Sequence, residues 1–243
     1  MKKASRNIRK ASLVLLMAVA VIIACGCTKD PDNGGNGGGN GGGNNGNTYN
    51  GHEYVDLGLP SGTLWATCNV GADTPEGFGD YFAWGETTPK TTYEWANYKY
   101  CNGGENQLTK YCCDANYGYN GFTDDLTTLQ LTDDAATANW GSGWCIPTKE
   151  QWEELKNNTV STEQMMNGVS GRLFTSSNGK TLFLPASSGN THVYDGYYWS
   201  NSLYTENPYR AWRFYIGPDG GCGMSYYGGR CLGRSVRPVR SAN

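Results

Sequence analysis

Between Asn33 and Asn47 the chain holds nothing but glycine and asparagine, 15 residues in a row. Such a segment has no apolar side chain to bury and cannot offset the ordering entropy of its glycines, so it behaves as a flexible coil. It splits the chain into two parts. Everything able to build a core lies downstream, in 49–243, where all eight tryptophans and all seventeen tyrosines are found. A coil of this length has a root-mean-square reach of about 20 Å, enough to hold a folded domain clear of a surface.

The upstream part explains what that surface is. Lys2, Lys3, Arg6, Arg9 and Lys10 form a cationic start, and a 14-residue, mainly apolar run follows from Ala11 to Ala24. A charged beginning, a short apolar stretch and a small residue at the break describe an export signal, too short to span a bilayer permanently. Ile22-Ile23-Ala24-Cys25 resembles a bacterial lipobox, in which Cys25 receives the lipid and becomes the mature N-terminus. Cys27 competes for that role, but it has Ala24 where a larger aliphatic residue is usual. The organisation expected is therefore a signal peptide at 1–24, a lipid anchor and tether at 25–48, and a domain at 49–243. Asp30 and Asp32 around Pro31 are similar to the signal that sends some lipoproteins of Bacteroidetes to the outer face of the cell. The expected location is the outer membrane or cell surface, with the membrane as partner through the lipid.

Loss of the first 24 residues leaves 14 basic against 22 acidic residues, a net charge of −8. That field opposes nucleic acid and other polyanions, so no nucleic-acid partner is expected. The domain is long enough for one real core. Dense threonine, glycine and aromatic residues with few long periodic stretches imply an α+β or mostly β fold rich in turns.

Its seven cysteines are Cys68, Cys101, Cys112, Cys113, Cys145, Cys222 and Cys231. An exported chain permits disulfides, and the local pairings expected are Cys222 with Cys231 and Cys101 with Cys112 or Cys113. Paired CxxC motifs are lacking and the only histidines are His52 and His192, which argues against zinc and against a redox centre. No cofactor is implied.

Strands are expected at 54–59, 63–70, 81–84, 197–200, 211–216, 222–227 and 235–239. Asn178-Gly179 between two apolar runs signals a hairpin. Asp133 to Trp140 reads as a short helix with an aspartate N-cap and a stop at Gly141, and Thr148 with Gln151 forms a capping box for a second. Residues 87–121 show no period and read as a long loop region pinned by aromatics.

Five phrases, taken in order, resemble one family: YVDLGLPSGTLWATCNVGA (54–72), GDYFAWGET (79–87), WGSGWCIPTKEQWEEL (140–155), GKTLFLPASSG (179–189) and GRSVRPVR (233–240). They are similar to the Fibrobacter succinogenes major paralogous domain, abundant in lipoproteins of gut Bacteroidetes. The resemblance implies a C-type-lectin-like fold: a twisted, mostly antiparallel sheet with two or so short helices and long loops, its last strands carrying the ligand surface. Cys145 and Leu232 depart from the family pattern, which has arginine and an aromatic residue there. The family carries no assigned activity.

The chemistry must therefore be read from the residues. The acid pairs Asp124-Asp125, Asp133-Asp134 and Glu153-Glu154 read as solvated groups near helix starts rather than as a catalytic dyad. No calcium-binding loop of the D-x-[DN]-x-[DN]-G type is present, and no metal site is expected. His192, beside Tyr194 and Asp195, reads as a loop histidine. The better lead is the C-terminal third, with eight tyrosines and two tryptophans between Tyr194 and Tyr227. These side chains pair a flat apolar face with a polar tip and suit sugar rings or protein surfaces. The expected ligand contacts are Tyr194, Tyr197, Asn201, Tyr204, Glu206, Asn207, Tyr209 and Tyr226, while Arg234 and Arg237 make structural hydrogen bonds. The function expected is a non-enzymatic binding module for a glycan or protein ligand. The alternatives are a structural or pilus-associated surface lipoprotein and a glycan-active enzyme.

Overall fold

The β-branched and aromatic runs of the domain become short strands because each can bury only one or two faces between glycine turns. The computed structural model describes residues 47–186, 196–217 and 220–242. The chain begins with β1 (Asn47–Tyr49), β2 (His52–Asp56), β3 (Thr63–Ala66) and β4 (Tyr81–Phe82). After the long loop region come α1 (Ala135–Trp140) and α2 (Lys149–Asn157). The strands β5 (Thr159–Met166), β6 (Val169–Ser176) and β7 (Thr181–Pro185) form a meander. Then follow β8 (Gly196–Leu203), β9 (Ala211–Ile216), β10 (Cys222–Ser225), β11 (Arg234–Ser235) and β12 (Val239–Ser241).

The architecture is α+β with mostly antiparallel strands, but they form three sheets rather than one: β1-β2-β3-β12, β10-β9-β8-β11-β4 and β5-β6-β7. Among the named strands of the described residues, only β11 on β8 is parallel. The final expected strand splits in two, since Arg234–Ser235 pairs with β4 and β8 whereas Val239–Ser241 crosses to β3. Between them Pro238 lacks the N–H a ladder needs. β5 has no counterpart in the sequence reading: it is held by the tight turn at Asn167-Gly168, both at positive φ, 48° and 83°.

Both helices start as read. Asp134 accepts a hydrogen bond from the Thr137 N–H, and Thr148 and Gln151 complete their reciprocal box. α2 buries Trp152 and Leu155 against the central sheet, with Trp152 stacked on Phe214 at 4.7 Å. Alternation along β8 then gives this sheet a core on each face. Tyr198 joins Trp65, Trp152, Phe174 and Phe214 on one side. Trp199 joins Phe82, Trp84, Tyr98, Tyr111 and Val236 on the other.

Two arginines are buried as structural ties. Arg230 donates to the carbonyls of Tyr111 at 2.8 Å and Lys110 at 3.2 Å. Arg237 reaches Asn69 Oδ1 at 2.8 Å and the carbonyls of Ala66 and Thr67. Arg234 donates to the Gly233 carbonyl at 3.4 Å, and its guanidinium lies 4.5 Å over the Tyr197 ring.

The disulfides expected from spacing are absent among the described residues, where all seven cysteines are thiols. Cys222 packs toward the Trp152 core while Cys231 belongs to the Trp199 core, so the sheet lies between them. Cys101 and Cys112 point their sulfurs at different carbonyls, those of Trp95 and Asp114, each at 3.2 Å. Cys113 points at the carbonyl of Thr205.

Candidate functional site

The long loop region packs onto the C-terminal strands with few backbone ladders, so its shape is set by aromatic side chains. A turn of 3-10 helix at Trp95–Asn97 is closed by Asn97 Oδ1, which accepts from the Glu94 N–H, and by Lys90, which donates to the Asn97 carbonyl at 2.8 Å. Lys90 is itself paired with the buried carboxylate of Glu86 at 2.7 Å. Tyr93 accepts from the Lys90 N–H at 2.9 Å and donates to the Tyr81 carbonyl.

Opposite this turn runs Gly228-Gly229-Arg230-Cys231-Leu232-Gly233. Its glycines let backbone lie on the rings: a Cβ at Gly229 would meet Trp95 Cζ2 at 2.8 Å, and one at Gly233 would meet Tyr93 Cε2 at 2.7 Å. Gly228 also has φ +116°, which disfavours any L side chain.

Between the two segments opens a cleft of about 580 Å³. Tyr93, Trp95 and Tyr209 supply its aromatic walls, and Glu94, Glu105 and Arg210 its charges. Trp95 meets Tyr209 edge to face with ring centres 6.5 Å apart. Tyr209 rests on Tyr117 at 5.4 Å, and Tyr117 donates to Asn207 Oδ1 at 2.9 Å. The Arg210 guanidinium lies 4.9 Å over the Tyr209 ring. At the bottom, burial pushes the Cys231 thiol up to about 11, so it stays protonated and unreactive near neutral pH. The arrangement is an open recess with flat apolar faces, two carboxylate acceptors and one guanidinium donor.

Of the residues singled out in the sequence, Tyr209 lines this cleft and Asn207 supports it. Tyr204 is buried, stacked on Tyr226 at 4.4 Å and 9°, and donates to Glu206. That bond, with burial, pushes the Tyr204 hydroxyl up to about 12. Tyr226 also meets Tyr227, with ring centres 4.6 Å apart and the planes tilted by 31°. Tyr204 is thus held inside the fold, and Tyr226 is half-buried among Tyr204, Trp212 and Tyr227. Asn201 is buried in β8, where its backbone serves Pro147 and Leu129. Tyr197 sits at the far end of β8, roughly 20 Å along the strand from Leu203. Its ring is held between Arg213 at 4.0 Å and Arg234. Cys25, His192, Tyr194 and Asp195 lie outside the described residues.

The acid pairs are mostly used internally. Asp133 and Asp134 are buried rather than solvated, a correction to the sequence reading. Asp133 takes Lys110 at 2.5 Å and Tyr111 at 2.6 Å, and Asp134 takes the N–H groups of Thr137 and Ile146. Asp124 caps the N–H groups of Tyr111 and Cys112. Glu154 accepts from Ser61. Among the described residues no three metal-binding side chains converge.

Sequence reasoning missed Tyr93, Trp95 and Glu105 because they sit in a stretch without period. The only local signal was aromatic density. Comparison with protein-family profiles, curated proteins and solved structures gives no match.

Proposed function

We propose that the chain is a lipid-anchored cell-surface protein whose domain binds a saccharide in the cleft between Trp95 and Tyr209. The observation that carries this reading is the meeting of three aromatic side chains with Glu94, Glu105 and Arg210 in one opening. A sugar ring has an apolar face of C–H groups and a rim of hydroxyls; aromatic faces cover the first and charged acceptors and donors bind the second. The lipobox at Cys25 and the Gly/Asn tether support presentation away from a membrane. The resemblance to the Fibrobacter succinogenes major paralogous domain, with its C-type-lectin-like fold, also favours a ligand surface around the last strands, and Tyr209 and Arg210 lie in the turn that joins β8 to β9.

The test is affinity electrophoresis of the purified full-length protein through gels containing mannan, xylan or mixed-linkage glucan, repeated with Trp95→Ala plus Tyr209→Ala. Retardation by one polymer, lost in the double variant, is the expected result. Equal mobility in every gel by a folded sample overturns the reading.

A further inference from the structure

We infer that the ligand of this site is a neutral saccharide of at least two rings, with Tyr227 holding the second ring at the rim of the cleft; this rests on the saccharide reading above. Tyr227 is 62% exposed, unusual for a large aromatic side chain in this fold. It immediately precedes Gly228, which lines the cleft. Its inner face lies on Tyr226, Tyr226 lies on Tyr204, and Tyr204 meets Trp212 edge-on at 5.2 Å. Lys149 closes the far end, its Nζ 4.3 Å from the Trp212 ring.

Four rings and a cation thus form one cluster, in which Trp212 stands edge-on to both Tyr204 and Tyr226 and Tyr227 is the exposed member. The buried Tyr204 and the half-buried Tyr226 and Trp212 support the outer ring, so little side-chain entropy is lost when a ligand covers its exposed face. Arg210 joins the two places, since it lines the cleft and also acts electrostatically on Tyr204 and Tyr226. A ligand confined to the cleft leaves Tyr227 uncovered. One that continues past Gly228 covers it.

Charge decides the class. The cleft offers two carboxylates against one guanidinium, and the mature chain is strongly acidic. Uronates and sulfated sugars meet net repulsion there, whereas neutral hydroxyls find acceptors.

The test is an NMR titration of the full-length protein with neutral gluco-, manno- and xylo-oligosaccharides of increasing length, and with a galacturonate oligomer. Trp95→Ala, Tyr227→Ala and Tyr227→Trp are titrated in parallel. The expected result is an affinity gain of about fivefold to tenfold from one ring to two or more, the size of a well-placed stacking contact. Tyr227→Ala flattens that dependence on length, Tyr227→Trp retains it, and the galacturonate binds more weakly. An affinity independent of length, a length gain that survives in Tyr227→Ala, or tighter binding of the galacturonate overturns the inference while leaving the cleft reading standing. No shift with any sugar overturns both.

Discussion

Gly229 lies flat on the indole of Trp95, with no room for even one methyl group between them. The side chain that shapes the cleft is therefore seated on a residue that has none. Gly229→Ala must displace the ring or the backbone, at a cost of about 1–3 kcal/mol typical of overpacking. The expected outcome is a lowered unfolding midpoint, a changed tryptophan emission and weaker saccharide retention. Unchanged emission with native stability would falsify the contact.

The neighbours Asp133 and Asp134 respond oppositely to pH. Burial pushes Asp134 up to about 6 despite the N–H groups it accepts from. The folded state then binds more protons than the unfolded state between about pH 4 and 6, and stability falls as pH rises through that window. The shift is worth about 3 kcal/mol at most. Burial also raises Asp133, but hydrogen bonds from Lys110 and Tyr111 outweigh it and hold its carboxyl below the usual range. Its contribution is present above the ordinary carboxylate range and is lost as pH falls through its folded pKa. Chemical denaturation from pH 4 to 7 should show a downward slope in the native protein that Asp134→Asn lacks.

Arg237 ties the C-terminal segment to the carbonyls at the end of β3, those of Ala66 and Thr67, and it is fully buried. Arg237→Met leaves those carbonyls and Asn69 without their donor, at a cost of about 3 kcal/mol or more. A thermal midpoint within a degree of the native value would show that water replaces the guanidinium.

Cysteine chemistry gives a direct check of the thiols. Alkylation without reductant, read by peptide mass spectrometry, should label Cys222 and Cys231 separately after denaturation. A linked peptide containing both would mean that β10 and the segment after it are arranged differently.

Lipidation is the simplest prediction to test in cells. Metabolic labelling with an alkyne fatty acid should tag the protein, and Cys25→Ala should abolish the tag and release the chain from membranes. Labelling that survives in Cys25→Ala and disappears in Cys27→Ala moves the anchor to Cys27.

Local signals were legible wherever a few adjacent residues settle the backbone. Thr148 with Gln151 set the start of α2, and Asn178-Gly179 set the β6–β7 hairpin. The run Ala211–Ile216 was readable because aromatic and β-branched residues crowd it and Gly217 follows, although its burial breaks alternation at Arg213 and Phe214. β5 was not: Ser161, Thr162, Glu163 and Gln164 carry no apolar face, and the strand exists because β6 supplies a partner. The cleft was legible only at Tyr209. Trp95 reaches it through tertiary packing of a loop whose own sequence holds no period, and Tyr204 and Tyr226 turn their faces to each other. Cysteine spacing misled for the same reason, since closeness in sequence across Cys222 and Cys231 becomes opposite sides of a sheet.

The pairing of β12 with β3 sets a clock on folding. Val239 lies opposite Trp65, 174 positions earlier, and Arg237 fastens the same junction. At the usual pace of synthesis, about 5–20 residues per second, β3 waits roughly 10 to 35 s for its outer partner. During that interval the edge of β3 stands open beside the tryptophan that anchors one of the two cores. Any escort that shields this chain before completion has its task defined by that edge, and its release by the arrival of Val239.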